Sequence, residues 1–306
     1  MSRSSQFPVF IFIFISICAV PSSPAQEVEA LPGTRPLDWT DEDFSVRVMD
    51  GAHAFVEAEI AETLLTPPTF PLEEEERKTF VEASRLALRE KLGVVDDRLP
   101  PRLEFISRDP VSFEGEPSTA RVAEGPGFRV YQVRWPVLED FYAEGLYVNP
   151  VSEDSGATSP PLMVLMPDAD ETPEDVLGLT PRLQPHQQIA LRFATAGFRL
   201  LIPAPLNRQI YGGPDGKDEA ILKTNQSHRE WIYRQAFQMG RHPLGYEVQS
   251  MLAALDWFHQ SCPGAEVTFA GYGEGGRAAL YGAAIDPRVS HAFVSGAFGS
   301  RNAAWE

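Results

Sequence analysis

The chain has 306 residues, 43% of them hydrophobic and 23% charged, enough for one large domain or for a core with a helical annex. Its formal net charge of −17 argues against nucleic acid and anionic membrane surfaces as partners.

Residues 1–25 read as a cleavable secretory signal. Arg3 is the only charge there, Phe7 to Val20 is apolar apart from Pro8 and Ser16, and Ser23-Pro24-Ala25 offers small residues for cleavage. The apolar stretch is shorter than the ~20 residues a membrane helix needs, so a secreted or periplasmic protein without a stable membrane anchor is expected. Cys18 leaves with the signal and Cys262 remains alone, so no intrachain disulfide is expected.

Residues 26–39 are polar and proline-rich and form a lead. Thr40-Asp41-Glu42-Asp43 resembles a capping box, and Phe44, Val48, Phe55, Val56, Ile60 and Leu64 then recur at near-helical spacing. Thr66-Pro67-Pro68-Thr69-Phe70-Pro71 breaks that helix, and a second runs from about Leu72 to Leu92 and stops at Gly93. In it, Glu73 can pair with Arg77 and Glu74 with Lys78, the pattern of a solvated helix start. Leu103–Ile106, Phe128–Val133 and Tyr142–Val148 read as strands, the last two as a hairpin. Pro161–Pro167 is a buried strand, Pro185–Ala196 a helix, Phe198–Ile202 a strand and Tyr246–His259 an amphipathic helix. Strands at Val267–Ala270 and Ala292–Val294 follow. This alternation predicts an α/β fold with a mostly parallel sheet covered on both faces, and no internal repeat is visible.

The run Val267-Thr268-Phe269-Ala270-Gly271-Tyr272-Gly273-Glu274-Gly275-Gly276 is an apolar strand entering a glycine turn, and Arg277-Ala278-Ala279-Leu280-Tyr281 continues as a helix of small residues. That is the setting of a G-x-S-x-G nucleophile elbow, with Gly273 at the nucleophile position between Gly271 and Gly275. Residues two before and two after the nucleophile must be small for strand and helix to approach each other. Glu274 as nucleophile would put Tyr272 at one of those places, where it is too large. The letters also satisfy G-x-G-x-x-G through Gly271, Gly273 and Gly276, but a nucleotide site wants an acid ~20 positions on. The next apolar run, His291–Gly296, ends without one, and Asp286 precedes that run, so the nucleotide reading is rejected.

With Ala283-Ala284-Ile285-Asp286-Pro287-Arg288-Val289 and Val294-Ser295-Gly296 beyond it, the glycine run resembles the α/β-hydrolase superfamily, and within it secreted dienelactone-hydrolase-like and acetyl-xylan-esterase-like proteins. The resemblance covers roughly the second half of the chain, from about Phe128. It implies a hydrolase-type doubly wound sheet, with an N-terminal helical annex beside it. It also implies a nucleophile, then an acid and a histidine later in the chain, and backbone donors for the oxyanion. Here the one histidine after Gly273 is His291, just before a strand and away from the sheet's carboxyl edge, so a structural or exposed role is expected of it. Two strands and both partners of the nucleophile are missing from the sequence, so the hydrolase-type sheet is expected to be C-terminally incomplete.

The oxyanion donors implied are the backbone N–H of Glu274 and one from the loop Asp168-Ala169-Asp170. Asp168, Asp170 and Glu274 would converge at the mouth, either pointing to water or suiting a cation better than an anion, though no dedicated calcium loop is present and no metal or cofactor is expected. The segment Asn207–Gly245 lies where this fold inserts loops over its pocket. Its Trp231 and Tyr233, with Tyr211, Phe237 and several arginines, suit sugar or aryl-ester binding and equally suit ordinary packing. His228, Glu230 and His242 lack metal-ligand spacing.

The domains expected are a signal at 1–25, a lead and helical annex at 26–125, and the hydrolase-like core at 126–306. The expected function is that of a secreted protein of carboxylic-ester hydrolase type, with a small-molecule or carbohydrate ester as partner. Gly273 argues against ordinary serine catalysis, and the alternative is a non-catalytic ligand- or carbohydrate-binding pseudoenzyme.

Overall fold

The computed structural model describes residues 32–33, 43–65, 69–106, 121–151, 159–206, 208 and 227–299. The signal at 1–25 lies outside the described residues, as does most of the lead. The chain divides into two compact units, Met1–Thr69 and Phe70–Glu306.

In the first unit, helix α1 spans Phe44–Leu65. Its start is fixed by Asp43, whose Oδ1 accepts from Ser45 N at 2.9 Å, so this one residue does the capping expected of a four-residue box. The apolar residues at helical spacing form a stripe, but none of α1 is buried.

In the second unit, α2 (Glu74–Leu92) ends at Gly93 with φ 67°, the left-handed cap that glycine adopts without strain. Lys78 Nζ lies 3.3 Å from Glu74 and 2.9 Å from Glu75, giving the expected surface pairing one turn into the helix. The sheet has eight strands: β1 (Glu104–Phe105), β2 (Arg121–Gly125), β3 (Phe128–Leu138), β4 (Phe141–Pro150), β5 (Leu162–Met166), β6 (Arg199–Pro203), β7 (Val267–Tyr272) and β8 (His291–Ser295). Their order is β1-β3-β4-β6-β5-β7-β8, with β2 also paired to β3. The expected hairpin is present and longer than its apolar pattern suggested, because Glu139-Asp140 turns the chain with Asp140 at φ 58°. β4 joins β6 antiparallel, and β6, β5, β7 and β8 then run parallel.

Helices cover both faces. On one face Leu162, Val164 and Met166 pack with α6 (Pro243–Ser261) and with Ala278 and Ala279 of α7 (Gly273–Ile285). On the other face Met163 and Leu165 pack with Val176 of α3 (Pro173–Val176), and with Ala190 and Ala194 of α4 (Ile189–Thr195). β5 alternates between two buried layers, which is why it reads as an unbroken apolar run. A further helix, α5 (His228–Gln238), precedes α6 and is capped by Ser227, whose hydroxyl accepts from Glu230 N. This is the expected mostly parallel, doubly covered α/β-hydrolase-type sheet. Among the described residues no helix is long and apolar enough to cross a membrane.

From β5 the chain moves to β6 on one side and then to β7 on the other. The parallel carboxyl ends of β5, β6 and β7 therefore frame a topological switch point, where ligands of open α/β sheets bind. α6 reaches that point because Gly245, behind Pro243, lets its first turn press on the carbonyl of Leu92 at the end of α2. Gly245→Ala would drive a methyl group into that carbonyl. It should lower the unfolding free energy by about 2 kcal/mol despite alanine's better helix propensity, read from the midpoint of urea unfolding.

Candidate functional site

β7 runs into α7 with no intervening loop, and Gly273, the first residue of α7, has φ 58°. The glycines around it are required by close approach. A side chain at Gly271 would collide with the backbone of Gly275, and one at Gly275 with the carbonyls of Met166 and Pro167. A Cβ on Gly276 would lie 2.7 Å from Ser295 O. The small-residue rule that placed the elbow at Gly273 therefore has its physical cause here.

The space that a side chain at Gly273 would take is filled. A Cβ on Gly273 would lie 2.7 Å from each of Asp168 Cγ, Oδ1 and Oδ2. Asp168 stands two residues beyond β5, and the pairing of Met166 with Gly271 sets it beside Gly273, two residues beyond that partner. Its Oδ1 accepts from Ala169 N at 2.8 Å and from Glu274 N at 2.9 Å. Glu274 N–H is one donor expected for an oxyanion hole, and Ala169 belongs to the loop expected to supply the other; Asp168 Oδ1 accepts from both. The first turn of α7 adds a favourable field for that negative charge.

The loop that carries Asp168 is held from behind. Thr172 and Asp175 form a capping box at α3, and Asp175 also accepts from Thr180 and lies 3.3 Å from Arg182. Burial opposes charge on Asp175, but the bonds from Thr180 and Thr172 and the Arg182 charge hold its carboxyl below the usual range. Asp168 N–H points to Glu171 Oε2 at 3.4 Å. Burial, with Asp168 and Asp175 nearby, pushes the Glu171 carboxyl up despite that bond.

Of the three carboxylates expected to point to water or to suit a cation, Asp170 does face water, and both it and Glu274 meet arginines the sequence reading did not connect to them. Arg277 Nη1 lies 2.5 Å from Glu274 Oε1, Arg229 Nη2 lies 3.6 Å from Glu274 Oε2, and Arg208 Nη1 lies 3.1 Å from Asp170 Oδ2. Arg229 also forks onto Glu247 of α6 at 2.5 and 3.2 Å and donates to Leu206 O at 2.7 Å, while Glu247 Oε1 accepts from Leu206 N at 3.0 Å. Burial alone would weaken the charge on Arg229, yet Glu247, Glu274 and Asp168 hold its guanidinium above its usual value. Each carboxylate at the mouth thus has a partner inside the protein. Among the described residues no group of His, Cys, Asp and Glu is arranged to hold a metal ion.

α5 delivers Arg229 to the elbow. Trp231 on the same helix is 45% exposed, and Tyr233 stands edge-on to His242 with ring centroids 5.5 Å apart. Residues 207 and 209–226, including Tyr211, lie outside the described residues. His291 is exposed and pairs with Thr268, near the end of β7 opposite the elbow. Arg277 could have been found from Glu274-x-x-Arg277, the spacing of neighbours on a helix face. Glu247 carried no such signal, because its partner comes from a different element.

No family model matches the sequence, and no curated protein matches it. Solved structures do. A candidate acetyl xylan esterase from Bacteroides fragilis is 16% identical at TM-score 0.54, over 79% of this chain and 59% of that one. An acetyl xylan esterase from Paenibacillus sp. is 17% identical at TM-score 0.39, over 74% of this chain and 60% of that one. Brefeldin A esterase, a bacterial homologue of human hormone-sensitive lipase, is matched at TM-score 0.36 over 79% of this chain and 54% of that one. The chain therefore spans less than two thirds of the length of these esterases. The first match establishes the fold, and at these identities the likeness carries no more.

The Arg229–Glu247 pair has side chains only 13% and 4% exposed. Glu247→Gln, which leaves Arg229 buried without that charge, should cost about 3 kcal/mol, whereas the double change Arg229→Met with Glu247→Leu should cost clearly less. Urea unfolding of the three proteins checks the order.

Proposed function

We propose, starting from an α/β-hydrolase-type frame, that this is a secreted protein of carboxylic-ester hydrolase descent that does not work as a serine hydrolase at its elbow. Its role is to bind a small-molecule or carbohydrate ester without turning it over. The observation that carries this reading is Gly273, which stands at the nucleophile position with no side chain to attack a carbonyl. Ester hydrolysis by this frame needs an oxygen nucleophile with a free oxyanion site beside it. Export is supported by the signal-like residues 1–25. The choice of ligand class is supported by the sequence likeness to dienelactone-hydrolase-like and acetyl-xylan-esterase-like proteins.

Purified protein should show no labelling of an elbow residue by a fluorophosphonate probe and no turnover of 4-nitrophenyl acetate above buffer. Calorimetry with acetylated xylo-oligosaccharides should give saturable heats with the ligand recovered intact. Stoichiometric labelling of a pocket serine, or turnover that Asp168→Ala or Glu274→Ala reduces, would overturn the proposal.

A further inference from the structure

The loss of a nucleophile at position 273 leaves open what became of the machinery around it. Three observations bear on this, and they come from separate parts of the chain. The carboxylate of Asp168 lies within 2.7 Å of where a Cβ on Gly273 would stand, so its space is the space of the missing side chain. Its Oδ1 receives an N–H from Ala169, in the loop after β5, and another from Glu274, in the first turn of α7. The arginines nearby are directed elsewhere, Arg277 and Arg229 to Glu274 and Arg208 to Asp170, so among the described residues Asp168 is held by backbone donors rather than by a salt bridge.

An oxyanion hole is a pair of backbone donors aimed at one negatively charged oxygen. Here such a pair is aimed at one negatively charged oxygen belonging to the protein. We infer that Asp168 is an internal ligand of the elbow, a side chain that occupies both the nucleophile's seat and the position of the oxyanion. This deepens the proposed function and rests on it in one respect, that position 273 carries no nucleophile. Two consequences follow. A serine at 273 would not re-arm the elbow, because its side chain and the Asp168 carboxylate compete for one volume. A ligand bound at this mouth is neutral where it meets the elbow, since the donors that would receive a carboxylate or a tetrahedral anion are already satisfied and a second negative charge would face Asp168.

Removing the internal ligand should leave a vacant seat that a small free carboxylate fits. Thermal unfolding of the wild type and of Asp168→Gly would be followed at neutral pH in sodium acetate and in sodium chloride of equal ionic strength. The wild type should unfold at the same temperature in both salts. Asp168→Gly should unfold about 6 °C lower than the wild type in chloride and regain about 3 °C in 100 mM acetate, as expected for a dissociation constant on the order of 10 mM. Gly273→Ser should lower the midpoint of the wild type by at least twice as much as it lowers that of Asp168→Gly. If Asp168→Gly does not fold, Asp168→Asn carries the test. It keeps the shape and one acceptor oxygen without the charge, and should unfold about 3 °C below the wild type with no response to acetate.

Equal behaviour of Asp168→Gly in acetate and chloride, additive effects of the two substitutions, or an Asp168→Asn midpoint equal to that of the wild type would overturn the inference. None of these results bears on fluorophosphonate labelling, so this inference and the proposed function fail separately.

Discussion

A helix that begins directly at the end of a strand leaves the N–H groups of its first turn pointing at the loops of the neighbouring strands, and something must satisfy them. In this protein the Asp168 carboxylate does so for Glu274. The in-register parallel pairing of β5 with β7 makes it possible, because Met166 opposite Gly271 brings together Asp168 and Gly273, each two places beyond its member of that pair. A slip of one residue would turn every β5 side chain to the other face and carry Asp168 away from the elbow. The glycines at 271, 275 and 276 serve the same contact from the other side, since each lies against backbone that a methyl group would displace.

The charges around this contact are arranged so that negative groups stay paired. Asp168 is matched by backbone donors, Asp170 by Arg208, Glu274 by Arg277 and Arg229, and Glu247 by Arg229. Four segments of the chain meet in this network, the loops after β5 and β6 and the N-terminal turns of α5 and α7, and Glu247 of α6 bonds directly to two of them, through Leu206 and Arg229. The Arg229–Glu247 pair is buried enough that removing one partner costs more than removing both. Its contribution is therefore more to the placement of α5 and the Leu206 loop than to net stability.

The sequence was informative where a single element carries the signal. β5 reads as a buried strand because both its faces are covered, α6 as a helix because its apolar residues recur with helical period, and the junction of β7 and α7 as a tight turn because only glycines fit around Gly273. It was less informative where the outcome depends on contact between distant elements. β2 was not expected, since five residues with no buried position give no alternation to read. β7 extends to Tyr272, past the point where Gly271 looked like the start of a turn, because pairing with β8 continues to Ser295. The apolar spacing of α1 marks it as a helix, and no residue of that helix is buried. At the site, Asp168 and Glu274 were recognised as neighbours of the elbow, but not that one binds the other's amide. Arg208 and Arg229 are not legible as partners because Asp170 and Glu274 lie far from them in the chain and meet them only in the fold.

The central claim, that the oxyanion donors of the elbow are filled by Asp168, is tested most directly by hydrogen exchange at the Glu274 amide followed by NMR. An open oxyanion hole exposes that N–H to water, whereas a carboxylate bound to it excludes water. In the wild type the Glu274 amide should exchange at least about 100-fold more slowly than an unprotected amide, and Asp168→Ala should remove most of that protection. Exchange of Glu274 in the wild type at close to the unprotected rate would contradict the account, because the seat would then be empty and the elbow open.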